Sequence, residues 1–128
     1  MTARIQNNGL ANLTAGWNGY ASRPLYLQWG TGTGAAASAN VVTTTSTTEA
    51  RVLGTSSQVT TTQTNDTYQV VGTITAAGAR SITEVGVFDA AGTGSPPTGG
   101  NMDIYGDFGV ITLANLDSIA FTVKVAFT

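Results

Sequence analysis

Over residues 119–128, Ile119, Phe121, Val123, Val125 and Phe127 alternate without a break with Ala120, Thr122, Lys124, Ala126 and Thr128. A period of two marks a strand buried on one face and favours an antiparallel sheet, whereas a helix would scatter those apolar side chains around its axis. The same period recurs upstream. Leu25, Leu27 and Trp29 share a face just after Pro24, and Tyr68, Val70 and Ile74 do so with Gly72 keeping the phase. In the segment from Ile82 to Phe88, Val85 and Val87 oppose Glu84 and Gly86. Further on, Met102, Ile104, Phe108 and Val110 oppose Asp103, Tyr105 and Asp107. Val41 to Thr48 reads as extended, and Arg51–Leu53 and Ser57–Thr64 read as short strands parted by Gly54. Turns fall at Asn65-Asp66 and Ala77-Gly78-Ala79, and the longest loop runs from Ala90 to Gly100 around Ser95-Pro96-Pro97. Seven or eight short strands with Gly-rich punctuation predict an all-β fold, an antiparallel β-sandwich or a jelly-roll-like single domain over residues 23–128.

Residues 1–22 break this pattern. Ile5, Leu10, Leu13, Trp17 and Tyr20 are spaced irregularly, and Gly9, Gly16 and Gly19 interrupt any helix. Two readings remain: a strand or loop packed on its own domain, or an extended N-terminal arm whose apolar residues anchor on a neighbouring subunit.

At 128 residues the chain has room for one domain with a real core. Charged residues make up only 9% and the net charge is −2, so no clustered basic surface exists for nucleic acid. No apolar run is long enough to span a membrane as a helix. The first residues lack an apolar signal-peptide core, so use without Sec-type export is expected, and the sequons at Asn12 and Asn65 read as chance in a Thr-rich chain. Thr supplies nearly a fifth of the residues. It suits a pleated surface, and its hydroxyl costs far less to bury than an ion, which favours packing against another protein.

His and Cys are both absent, which removes the usual zinc ligands and the Ser-His-Asp and Cys-His nucleophilic sites. Lys124, the one lysine, has no Ser at Ser-x-x-Lys spacing. Asp103 and Asp107, four residues apart on one strand face, stand about 13 Å apart at ~3.3 Å per residue, too far to act as a glycosidase pair. Asp66, Asp89 and Asp103 neighbour loops, without an EF-hand signature. Gly30-x-Gly32-x-x-Ala35 with Glu49 imitates a dinucleotide fingerprint, but the β-branched run from Val41 to Thr45 is hostile to the helix that fingerprint needs. No enzymatic activity and no cofactor are expected. Trp17, Tyr20, Tyr26, Trp29, Tyr68 and Tyr105 are aromatic candidates for a glycan platform or a subunit interface. Tyr26 and Tyr105 lie opposite the apolar rows of their strands, and subunit contact is the favoured use.

Four stretches together resemble small virion proteins encoded among the head and tail genes of tailed bacteriophages. They are Leu25 to Thr33 (LYLQWGTGT), Asn65 to Val70 (NDTYQV), Ile82 to Asp89 (ITEVGVFD) and the tail from Gly100-Asn101 to Thr128. The resemblance covers most of residues 24–128 and implies a capsid cement or decoration protein, often a homotrimer, on the outer surface of the capsid. Its implied partners are the major capsid protein and other copies of itself, with assembly in the host cytoplasm and no nucleic acid or membrane involved. Some similar sequences are tail- or fibre-associated, so the alternative is an adaptor or receptor (glycan)-binding module of the virion. The expected interface residues are Ile5, Leu10, Leu13, Trp17, Tyr20, Tyr26 and Tyr105, with the N-terminal segment as the anchor. Removing residues 1–20 is then expected to abolish shell binding while leaving the domain folded.

Overall fold

A computed structural model describes residues 1–39 and 47–127; most of the extended run expected from Val41 to Thr48 lies outside them. The element order is α1 (Asn7–Gly19), β1 (Tyr26–Gly30), β2 (Val52–Leu53), β3 (Thr55–Val59), β4 (Thr67–Thr75), β5 (Arg80–Phe88), β6 (Met102–Leu113) and β7 (Ser118–Ala126). These strands build two antiparallel sheets, ordered β2-β1-β5-β6 and β3-β4-β7, so the sandwich-like all-β fold is as expected. Between them lies a core of Leu27, Trp29, Tyr68, Val70, Ile74, Ile82, Val85, Val87, Leu113 and Phe121. The alternation in β7 is obeyed throughout: Val123 pairs with Val70, Phe121 with Gly72 and Ile119 with Ile74, all on the inner face. Gly54 and Gly72 let the sheets meet closely, since a Cβ on either would collide with Leu27 Cδ1.

Three segments differ from the sequence reading. The N-terminal segment is not extended: Asn7–Gly19 is an α-helix despite its glycines. Propensity does not favour it, and tertiary packing supplies what propensity lacks. Thr14, fully buried, reaches the carbonyl of Asn65 at 2.5 Å and accepts from Gln58 Nε2 at 2.7 Å. Ser56 Oγ donates to Asn18 Oδ1 and accepts from Arg23 Nε. The second difference is that the strand expected over Ser57–Thr64 is β3, which stops at Val59. The Asp66 carboxylate gathers the N–H groups of Thr61, Thr62 and Gln63 at 2.8–3.0 Å, folding the Thr run into a turn. Thirdly, Val110 does not share the inner face and is 62% exposed. A register shift falls between the Ile82–Ile111 and Glu84–Asp107 pairs. Such a bulge exchanges the faces beyond it, so Ile82 joins Val85 in the core.

Sheet β2-β1-β5-β6 is covered on its second face too. Gln28, Glu84 and Phe88 are buried there, beneath residues 31–34 and the loop that follows β5. Arg51 lies over the Phe88 ring, 3.6 Å from its centroid. It donates to Gln28 Oε1 and to the carbonyls of Ala90 and Gly99.

Candidate functional site

The expected interface residues fall into two groups. Leu13 and Trp17 on α1 and Tyr20 at its C-terminal cap come together and, with Asn12, Gly16 and Phe127, line an apolar groove of ≈ 470 Å³. Its inner wall is fixed by ring packing: Trp17 lies 5.0 Å from Tyr68 and 5.8 Å from Phe127, centroid to centroid. Tyr68 is anchored in turn by its hydroxyl, which donates to the Pro24 carbonyl at 2.6 Å. Leu13 and Tyr20 are 45% and 60% exposed at the mouth. Ile5 is exposed and folds back on the helix, with its Cγ2 2.7 Å from where a Cβ of Gly9 would stand. Leu10 is half-buried. Phe127, the last inner-facing residue of the β7 alternation, completes the groove. Its place in that row signals it, but only the helix shows which side chains it meets.

Tyr26 and Tyr105 do not line this groove. Both are half-buried on the first sheet, and the Tyr105 hydroxyl donates to Glu84 Oε2 at 2.7 Å. Because α1 is bonded to Ser56, Gln58 and Asn65 and stacked on Tyr68, removing residues 1–20 would uncover core. The expectation that such a truncation leaves the domain intact is therefore corrected, and point substitutions at the groove mouth are the suitable probes.

The residues weighed for chemistry have other roles. In the Gly30–Gly34 loop, the Gly32 N–H donates to Glu84 Oε1 and the Gly34 N–H to Asp107 Oδ2. Two amides of the kind that would cradle a phosphate thus serve the chain's own carboxylates. Gly30 itself must lack a side chain, because a Cβ there would overlap the Glu84 carboxylate. Glu49 accepts from Trp29 Nε1, the Ala77 N–H and Arg80 Nε. Its partial burial opposes ionisation, yet these donors and the Arg80 charge hold its pKa below the ordinary value. The Asp66 pKa is strongly depressed, above all by the Gln63 N–H and then by those of Thr61 and Thr62 and the Thr67 hydroxyl, against the cost of burial. Asp89 is lowered mainly by the backbone and side-chain amides of Asn101. Burial, and then the Asp89 charge, raises Asp103. Among the described residues no three of His, Cys, Asp or Glu are grouped to hold a metal ion. No helix among them is long and apolar enough to cross a membrane.

A second apolar groove, ≈ 320 Å³, opens between the edge strands β6 and β7, with Phe108 and Phe121 at its base. β6 carries register shifts, and β7 presents Lys124 on its outer face, both devices that keep an exposed edge from pairing with another chain. The outer face of β3-β4-β7 is nearly flat in charge: Thr55, Val71, Thr73, Thr75, Ala120 and Thr122 are exposed there, with Lys124 its one charge.

Comparison with known proteins adds no relative: no protein-family model, no curated protein and no solved structure matches the chain.

Proposed function

We propose that this chain is a bacteriophage capsid decoration protein that docks on major capsid subunits through α1 and bridges them. The observation that carries this reading is the α1 groove: Leu13, Trp17, Tyr20 and Phe127 form an apolar surface that nothing in the described chain covers. Aromatic and aliphatic side chains clustered around a recess are what a subunit interface uses to concentrate binding energy. The resemblance of the sequence to small phage virion proteins supplies the setting. Bridging acts by mass action and multivalency, since each clamped copy raises the free energy of opening the shell. The weakly charged, Thr-rich outer face of β3-β4-β7 suits contact with further copies in a homotrimer, because buried hydroxyls cost less than buried ions.

The test is co-sedimentation of the purified protein with shells assembled from the major capsid protein of the phage that carries it. Stoichiometric binding that is lost in the Leu13→Asp/Tyr20→Asp double variant supports the reading. Absence of wild-type binding to shells, together with binding to host glycans, would instead favour the tail-module reading.

A further inference from the structure

Glycine follows asparagine at two places in the sequence, Asn8-Gly9 and Asn18-Gly19, and both pairs lie in α1. This dipeptide carries its own chemistry. A glycine nitrogen has no Cβ beside it and a freely moving backbone, so it can reach the carboxamide carbon of the preceding Asn. The Gly N–H gives its proton to base as the nitrogen attacks Cγ and an N–Cγ bond forms. The side-chain nitrogen takes up a proton and leaves as ammonia. Water then opens the resulting succinimide at either carbonyl, breaking one ring C–N bond to give aspartate or isoaspartate. An intact helix opposes the first step, because helical ψ turns Cγ away from the next nitrogen.

The two pairs differ in how firmly the helix holds them. Asn18 lies in the last turn, which is fastened to the sandwich. Its Oδ1 accepts from Ser56 Oγ at 2.7 Å, and Ser56 Oγ accepts in turn from Arg23 Nε at 3.0 Å. Its neighbour Trp17 packs on Tyr68 and Phe127. Asn8 lies in the first turn and is exposed, as are residues 1–6 before it. Gln6 caps that end without a side-chain hydrogen bond. Its carbonyl accepts from the N–H groups of both Gly9 and Leu10, at 2.8 and 3.1 Å. Ile5 Cγ2 is the atom nearest the open side of Gly9, and Ile5 is itself 58% exposed. A helix end held so lightly opens far more often than one bonded and stacked on the core.

We propose that Asn8-Gly9 is a site of spontaneous deamidation in the folded protein, while the docking of α1 on the sandwich keeps Asn18-Gly19 from reacting. The reaction needs only water and base. Its aspartate product places a negative charge in a first turn that has no acidic residue, where the helix dipole favours one. Its isoaspartate product adds a carbon to the backbone and interrupts that turn. By either route α1 changes charge after folding, with no enzyme acting on it.

The experiment holds the full-length protein at mildly alkaline pH, folded and in denaturant. Peptide mass spectrometry, with fragmentation that separates aspartate from isoaspartate, follows both sites. In denaturant the two pairs should convert at similar rates, since each is Asn-Gly. In the folded protein Asn8 should convert roughly tenfold faster than Asn18 or more, as expected when a frayed turn opens and a docked one stays closed. Ser56→Ala removes the anchor of the Asn18 carboxamide, so it should speed conversion there and leave Asn8 unchanged. Gly9→Ala should slow conversion at Asn8, and Asn8→Asp should melt no lower than wild type. Equal rates in the folded protein, or faster conversion at Asn18, overturn the inference. So does a folded protein that converts at neither site while the denatured chain converts at both. An Asn18 rate untouched by Ser56→Ala overturns the assignment of Ser56 as its anchor.

Discussion

The indole of Trp17 lies 5.0 Å from the ring of Tyr68, tilted by 32°, and this pair fastens the N-terminal helix to the sandwich. One face of Trp17 packs on the core and the remainder lines the α1 groove. Replacing it with alanine removes the ring packing on Tyr68 and Phe127 together. Trp17→Ala should cost about 2 kcal/mol, less than the 3–5 typical of a fully buried aromatic. Thermal melts should show that loss, and amide exchange should show α1 losing protection before the strands do.

Two glycines should respond to alanine in opposite directions. At Gly16 the added methyl meets nothing, so the helix gains about 0.5–1 kcal/mol and the melting temperature rises. At Gly30 the methyl would overlap the Glu84 carboxylate, displacing a buried acid from Gly32 and Tyr105; overpacking of this kind costs about 1–3 kcal/mol. Denaturation of the two variants beside wild type measures both signs.

Arg51 holds the loop after β5 by stacking on Phe88 and bonding to Ala90 and Gly99. Lysine cannot reproduce a planar fork that serves several acceptors while lying on a ring. Arg51→Lys should therefore destabilise by about 2 kcal/mol. Amide exchange should accelerate first across residues 90–100, with β4 and β7 little changed. Uniform acceleration would contradict a local pinning role.

Acid should destabilise the fold. Asp66 and Glu49 have pKa values below their ordinary ones, so as pH falls the unfolded chain takes up protons at these groups before the folded one does. Their contribution is complete above the ordinary carboxylate range and is lost as pH drops through that range toward the folded values. Asp103, raised by burial and by Asp89, has the opposite sign and offsets part of the loss. Melting temperature measured from pH 7 down to about pH 3 should fall. Asp66→Asn should melt several degrees lower at neutral pH and show a flatter acid limb.

The strands were legible wherever one face was buried and the other wet. β7 follows its alternation residue by residue, and β1, β4 and β5 lie close to where Leu25 to Trp29, Tyr68 to Ile74 and Ile82 to Phe88 place them. The helix was not legible. Its three glycines and four asparagines give no propensity signal, and what holds it is distant in sequence: Gln58, Ser56, Asn65 and Tyr68. Burial of Glu84 was hidden for the same reason, since alternation assigns it to a solvated face and says nothing of a loop folding over that face. Phe88 on the same face as Glu84 was the available hint. Of the groove, the apolar members Leu13, Trp17 and Tyr20 could be read from composition alone, but their convergence with Phe127 depends on the helix. Tyr26 and Tyr105 were singled out by strand parity, which cannot register that Tyr105 is hydrogen-bonded to Glu84.

The proposed bridging role is tested most directly by electron cryomicroscopy of shells decorated with this protein. A clamp anchored by α1 requires density for the domain at junctions between capsid subunits, with Leu13, Trp17, Tyr20 and Phe127 turned toward the shell and covered by it. Density at the tail, or at the shell with the α1 groove facing solvent, would contradict it.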